Sequence, residues 1–382
     1  MDTRCILEKL IAHDTTSRNP NRELIDWIAE LLKSAGAAVT LLPNETGQKA
    51  NLFATLGPTD IPGVALSGHT DVVPVDGQDW TKPPFQLTEQ DGRLYGRGTC
   101  DMKGFVASAL SAALRAPTLE TPLHLAFSYD EEIGCIGVRS LIDMLSAAPI
   151  KPRFCIVGEP TSMQVATGHK GKIAARVTCH GVEGHSALAP FATNAIYMAT
   201  DLINAIRAIQ KRLEQTGAQD GDYDVPYTTL HVGTINAGTT LNIVPNRADF
   251  LFEIRSIAED NPDALLAEIR SAADDIAAAT EAPHARIVIE PTANTYPGLA
   301  TAPGADIVAF VKSLAGGTND TIKVAFGTEG GLFSAVAGIP TVVCGPGSMA
   351  QGHKPDEYVT LDQLQRCDAM MDRLLIKLQH GL

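Results

Sequence analysis

Apolar residues recur along this chain in two rhythms, and the order in which the rhythms alternate predicts a helix-covered sheet interrupted by a second unit. Leu24, Ile28, Leu31 and Leu32 fall on one stripe of a helix. Val64-Ala65-Leu66, Leu123-His124-Leu125-Ala126-Phe127 and Phe154-Cys155-Ile156-Val157 are short apolar runs of the kind that become strands buried on both faces. Each run is followed within a few residues by polar donors: His69 after the first, Glu131 and Glu132 after the second, Glu159 after the third. In open α/β sheets ligands bind beyond the carboxyl ends of the strands. Three separate segments therefore deliver nitrogen and oxygen donors to one edge.

The rhythm changes near Ile173. A strand is predicted over 173–179, and then Ala195, Ala199, Leu202, Ile206, Ile209 and Leu213 follow at spacings of 4, 3, 4, 3 and 4, one apolar face of a long helix. Strands near 228–235 and 248–255, a helix near 262–278 and a last strand at 285–290 complete the order β-α-β-β-α-β, the ferredoxin-like pattern. Alternating strand and helix texture resumes after Pro297. The predicted class is α/β: a mixed, mostly parallel sheet covered by helices, with an inserted α+β ferredoxin-like unit. Residues 1–174 and 293–382 would form one discontinuous domain and 175–292 the insert. A length of 382 residues, 45% of them hydrophobic, agrees with two domains, since it exceeds the size at which single cores usually split.

Charge narrows the partners. A net charge of −14 and a pI near 5.1 repel phosphate-rich surfaces, so neither nucleic acid nor an anionic membrane is expected as a partner. Glu8 and Lys9 interrupt the first apolar stretch where a secretory leader would run unbroken, and no stretch of about 18 apolar residues lacks a charge. A cytoplasmic protein is expected. Seven cysteines without a C-x-x-C pair argue against a disulfide framework and a thiolate zinc site; reduced, mostly buried thiols are expected.

The strand-end residues have ordinary alternatives when taken singly. His69 would be a core or surface histidine, were it not for Asp71 two residues on, whose carboxylate can accept the other ring N–H and fix the tautomer. Asp101, in a Gly-dense turn that opens a helix, is otherwise a helix cap. Glu131 and Glu132, like Glu159, are otherwise solvated surface acids. In a dry cleft, two adjacent carboxylates require a cation between them or a proton on one.

Taken in order, the segments S-G-H-T-D-V-V-P from Ser67, L-Y-G-R-G-T-C-D-M-K-G from Leu94, D-E-E-I-G from Asp130, G-E-P-T from Gly158 and G-H-K-P-D-E-Y from Gly352 resemble the di-zinc aminoacylase and carboxypeptidase family. The likeness runs over essentially the whole chain. It implies a zinc-exopeptidase-like catalytic domain in which Asp101 bridges two metal ions, His69 and Glu159 complete one site, and Glu132 and His353 the other. Oxygen and imidazole ligands suit Zn²⁺, with Co²⁺ or Mn²⁺ as substitutes. The likeness further implies Glu131 as general base, Asp71 as partner of His69, and a homodimer built on the insert in which His185 steadies the oxyanion in the other subunit's site.

The implied reaction is hydrolysis of the amide of an N-acyl amino acid. N-acetylornithine, cut to ornithine and acetate in arginine biosynthesis, is the substrate taken forward. Asn242 and Arg255 are candidates for its α-carboxylate, Arg by a bidentate pair. Thr328 and Glu329 lie in the Gly-rich segment Gly327-Thr328-Glu329-Gly330-Gly331; Glu329 is the candidate partner of the side-chain ammonium, and the alternative is a solvated loop acid. Removal of a succinyl group from succinyl-diaminopimelate, broad N-acyl-amino-acid or dipeptide hydrolysis, and an inactive metal-binding scaffold are the rival readings.

Overall fold

The computed structural model describes residues 1–316 and 320–382, which divide into two compact units, Met1–His169 with Leu299–Leu382, and Lys170–Gly298. The sequence-based borders at 174/175 and 292/293 fall a few residues inside the second unit, because strand Gly171–His180 is hydrogen-bonded along its whole length to the second unit's own strand Arg247–Ser256, and Tyr296 exchanges main-chain hydrogen bonds with Lys172.

The first unit is built on a nine-stranded sheet. Across it run Ala38–Pro43, Ala50–Leu56, Leu123–Ser128, Val64–His69, Phe154–Pro160, Thr341–Gly345, Ala166–His169 and Leu299–Ala300, with Ile322–Val324 beside Ala166–His169. The centre is parallel: Val64–His69 lies between Leu123–Ser128 and Phe154–Pro160, and Phe154–Pro160 continues to Thr341–Gly345. Pairings towards both edges are antiparallel, apart from Ile322–Val324, so the mostly parallel character predicted from the apolar runs belongs to the central strands. Those strands are buried at every residue, which is why they read as continuous apolar runs instead of alternating ones.

Helix Lys103–Arg115 packs on the sheet with Phe105, Val106, Ala109 and Leu110 fully buried. Its approach needs a glycine beneath it: a Cβ at Gly158 would fall 2.0 Å from the Phe105 ring. Glu159 therefore emerges next to the only residue type the helix tolerates there. Helix Arg22–Ser34 buries Leu24, Ile28 and Leu32 of its predicted stripe. A separate three-stranded sheet joins Thr88–Gln90, Arg93–Tyr95 and Tyr358–Thr360, and its pairing of Tyr95 with Tyr358 lays the loop after Arg93–Tyr95 against the loop before Tyr358–Thr360. Six of the seven cysteines are buried and all are free thiols.

The second unit is an antiparallel sheet in the order Thr229–Ala237, Arg247–Ser256, Gly171–His180, Arg286–Pro291, with helices Ala195–Thr216 and Pro262–Ala279. In chain order this is the β-α-β-β-α-β arrangement. Strand Arg247–Ser256 buries Ala248, Phe250, Phe252, Ile254 and Ser256 in strict alternation, the mark of a sheet covered on one face. Helix Ala195–Thr216 buries all six residues of its predicted apolar face, together with Met198. Among the described residues, no helix is long and apolar enough to cross a membrane.

Candidate metal centre and active site

Three parallel strands and two loops converge on a cluster of histidines and acids. His69 ends strand Val64–His69, Glu131 and Glu132 follow strand Leu123–Ser128 after Tyr129 and Asp130, and Glu159 lies near the end of Phe154–Pro160. Asp101 comes from the glycine-rich loop after Arg93–Tyr95, and His353 from the loop before Tyr358–Thr360.

Asp101 sits at the centre. One of its carboxylate oxygens, Oδ1, lies 3.1 Å from His69 Nε2, and the other, Oδ2, lies 3.1 Å from His353 Nε2. Glu159 Oε1 stands 3.6 Å from His69 Nε2, and Glu132 Oε2 stands 3.0 Å from His353 Nε2. Each half thus holds one imidazole, one glutamate and one oxygen of the shared aspartate. Donor atoms of His69, Glu131 and Glu159 all lie within 4.8 Å of one another, as do those of His69, Asp101 and Glu132. Asp101 is not a helix cap: helix Lys103–Arg115 begins after Met102 without a side-chain cap.

The ring of His69 is fixed from behind. Its Nδ1 donates to the main-chain carbonyl of Asp71 at 2.9 Å, while the Asp71 carboxylate is 3.6 Å away. The expectation that this carboxylate takes the ring N–H is corrected, because the short turn after the strand offers the carbonyl first. A carbonyl only accepts, so Nδ1 carries a proton, and Nε2 faces Asp101 and Glu159 either as a lone pair or with a second proton. A lone pair facing two carboxylate oxygens is favourable only with a cation between them or a second proton on the ring.

The Asp71 carboxylate does different work. It accepts the main-chain N–H of Glu131 at 3.1 Å and of Glu132 at 3.3 Å, and the Ser17 hydroxyl at 2.7 Å. It therefore sets the turn that carries both glutamates. Lys49 steadies the preceding residue through a half-buried ion pair with Asp130, 2.5 Å long.

Electrostatics supply a test of whether a cation fits. Burial, with Asp101 beside it, pushes Glu132 up to about 7, and burial with neighbouring negative charge drives Glu131 and Glu159 well above the usual carboxylate range. Burial opposes the charge on Asp101, but hydrogen bonds from His353 and His69 hold it below that range. Burial also works against a charged His69, yet Asp101, Glu159 and Glu131 raise it well above an ordinary imidazole. Hydrogen bonds to Asp101 and Glu132 lift His353 to about 10. Glu132 Oε1 is buried without a partner. Crowded carboxylates, an orphaned oxygen and a lone pair aimed at anions are what divalent cations resolve. The donor set fits metal.

Several supporting residues escaped the sequence reading. Glu357, 1% exposed, accepts the N–H groups of Gly98, Cys100 and Asp101 at 2.9–3.1 Å and pairs with buried Arg97 at 2.6 Å. It anchors the Asp101 loop from the same segment that carries His353. It lies in the quoted G-H-K-P-D-E-Y motif, which was its only signal. Ser67 and Ser128 are likewise new. Glu329 Oε2 accepts the Ser67 hydroxyl at 3.1 Å and its Oε1 accepts the Ser128 hydroxyl. Glu329 is 1% exposed and burial pushes it up to about 7. It is neither a solvated loop acid nor a side chain presented at a surface. Thr328 is also fully buried, its Oγ1 accepting the Gly330 N–H at 2.9 Å.

The second unit holds the other candidates by themselves. Strands Gly184–His185 and Ile243–Val244 pair, and Ser186 N–H donates to the Asn242 carbonyl at 3.0 Å, bringing His185 and Asn242 together on an exposed edge. His185 Nδ1 accepts the Ala187 N–H at 3.1 Å, which leaves Nε2 as the ring's donor. Arg255 lies in strand Arg247–Ser256, its guanidinium bonded to Glu253 at 3.1 Å and to the Tyr296 hydroxyl at 2.8 Å.

A helix-flanked mixed sheet that gathers imidazoles and carboxylates at its strand ends around a shared aspartate defines a metal-dependent hydrolase. The chain belongs to the peptidase family M20/M25/M40, whose model matches residues 65–377. It is 35% identical over 375 residues to an acetylornithine deacetylase from Myxococcus xanthus, covering 97% of this chain and 96% of that one. A second acetylornithine deacetylase, from Proteus mirabilis, is 33% identical over 95% of this chain and 92% of its own. Among solved structures, an M20 family metallo-carboxypeptidase from Sulfolobus solfataricus superposes with a TM-score of 0.79 at 18% identity, covering 98% of this chain and 99% of that one. A tripeptidase from Staphylococcus aureus gives 0.78 at 19%, covering 99% and 98%. These two share the fold.

Proposed function

We propose that the protein is a two-zinc amidohydrolase that cuts N2-acetyl-L-ornithine to L-ornithine and acetate, working in the cytoplasm in arginine biosynthesis as a homodimer joined through the second unit. The observation that carries the two-ion reading is Asp101, which turns one carboxylate oxygen to each histidine. The substrate reading rests on the two acetylornithine deacetylases of similar length.

His69 and Glu159 would hold one ion, Glu132 and His353 the other, and Asp101 both. Bound there, the cations would polarise the acyl carbonyl and acidify the attacking water. Glu131, half-buried and backed by the Asp71 contact to its own N–H, takes the water's proton as general base. A raised pKa lets it give that proton to the leaving nitrogen, so one group serves as base and then acid. His185 of the partner subunit donates from Nε2 to the developing oxyanion. Asn242 and Arg255 receive the α-carboxylate; Arg255 must share its guanidinium with Glu253 or release it.

The purified protein, reconstituted with zinc, is assayed on acetylornithine, acetylcitrulline, acetylmethionine and succinyl-diaminopimelate while bound metal is counted on the same sample. Two equivalents of metal and a preference for acetylornithine are expected. A preference for the succinyl substrate overturns the substrate assignment, and full activity with one equivalent overturns the two-ion reading.

A further inference from the structure

Glu329 has no place in the chemistry just described, yet it is a buried acid whose two oxygens are held by hydroxyls and not by a lysine or arginine. Burying such a group is costly unless every lone pair is used. The two hydroxyls belong to neighbouring parallel strands. In their register Ser67 pairs with Ala126 and His69 with Ser128, so Ser67, His69 and Ser128 project from one face of the sheet. Ser67 is two residues before His69, and Ser128 is three before Glu131. A single carboxylate therefore grips both strands immediately before each delivers its functional side chain.

The loop that presents Glu329 is itself tied down. The Glu329 carbonyl accepts the N–H groups of Leu332 at 2.9 Å and Phe333 at 3.2 Å, and the Gly331 N–H donates to His169 Nε2 at 3.0 Å. The carboxylate is thus held from a fixed backbone, as a strut must be.

We infer that Glu329 is a positioning residue that fixes the ends of strands Val64–His69 and Leu123–Ser128 relative to each other, and so the placement of His69 against the Glu131–Glu132 turn. It replaces the expectation that Glu329 meets the substrate's ammonium, since the acid has no exposed surface to offer one. The inference rests on the amidohydrolase reading for its kinetic readout, but not for its metal readout.

Glu329→Ala and Glu329→Gln are compared with the parent on acetylornithine and acetylmethionine, with zinc affinity measured by chelator competition and folding by thermal unfolding. Support from beyond the ligands typically changes activity or metal affinity by about 10–100-fold. Glu329→Ala should lower kcat by a factor in that range, the same for both substrates and with little change in KM, and should weaken zinc binding. Glu329→Gln should recover most of both losses, because an amide can accept one serine hydroxyl and donate to the other. A rise in KM for acetylornithine alone in Glu329→Gln would overturn the inference in favour of ammonium pairing, and a Glu329→Ala protein with parental kcat and zinc affinity would overturn it outright. Where Glu329→Ala fails to fold, Ser67→Ala combined with Ser128→Ala takes its place; parental kcat and zinc affinity in that protein would also overturn it. Should the parent hydrolyse neither substrate, the substrate assignment fails, while the zinc affinities still decide the role of Glu329.

Discussion

The two histidines of the candidate metal centre offer the same donor atom in opposite mechanical settings. His69 is 1% exposed, ends a strand inside the parallel part of the sheet, and has its ring locked by a main-chain carbonyl. His353 has a side chain 46% exposed and sits at φ 60 on a loop. That loop is stitched to its surroundings by the Gln78 side chain at the His353 carbonyl and by Asp356 accepting the N–H groups of Thr81 and Lys82. One half of the site is set by the core, where displacement disturbs close packing; the other is hung where an incoming molecule can reach it. The difference teaches that ligand identity alone does not say how a centre behaves. The support behind each ligand does.

Glu131 tests the comparison most severely, because its carboxylate groups with His69 and Glu159 on the buried side. If it is the proton carrier, Glu131→Gln should lower kcat by about 10²–10⁴-fold and leave metal content as in the parent. Loss of one equivalent of metal in that variant would make Glu131 a ligand and remove the division of labour within the buried half.

Glu357 is where the exposed half borrows rigidity from the interior. Its carboxylate neutralises Arg97 and collects three N–H groups of the loop that ends in Asp101. Glu357→Ala leaves a buried guanidinium without its counter-charge, which typically costs about 3–5 kcal/mol. Denaturant unfolding measures this. A variant as stable as the parent would mean that the His353 loop stands without its anchor.

Much of this was legible in the sequence, and the boundary of legibility has a physical cause. Helix Ala195–Thr216 and strand Arg247–Ser256 follow from periodicity, because one face of each is buried and the other is not. The set of His69, Asp101, Glu132, Glu159 and His353 came from the family resemblance, whose motifs are short segments at strand ends and turns, since each residue taken singly has an ordinary alternative. Asp71, Glu357 and Glu329 were misread or missed for the opposite reason. The partners of Asp71 at Glu131 and Glu132, those of Glu357 at Gly98 to Asp101, and those of Glu329 at Ser67 and Ser128 lie 60 or more residues away along the chain. Side chains that act through packing at long range leave no local spacing to read. The glycines around Glu329 resemble those of an exposed binding loop, although the acid faces inward.

Asp71 links the two halves, since its carbonyl orients His69 and its carboxylate holds the backbone of Glu131 and Glu132. Asp71→Asn keeps the carbonyl contact but turns one acceptor into an NH₂ group facing N–H or hydroxyl donors. A fall of about 10–100-fold in kcat is expected, with Glu131 displaced more than His69. Kinetics together with zinc titration of the same variant check it. Weakened zinc binding on the His69 side with kcat retained would show that the carboxylate serves the ring after all.

The order of metal release is the mildest test and the most direct one. With two ions bound, the one held through His353 and Glu132 should leave first when a chelator is titrated in, because a half-exposed loop ligand moves away at little cost to the core. Release of the ion that His69 and Glu159 would hold requires a strand end to shift within a sheet buried on both faces. A gap of about tenfold in dissociation constant, roughly 1.4 kcal/mol, is enough to make release biphasic. His353→Ala should then abolish the weak phase and preserve the tight one, while His69→Ala should remove the tight phase. If both ions of the parent leave in a single phase, and either substitution releases both together, the halves are one cooperative unit bound through Asp101, and the contrast in burial carries no energetic weight.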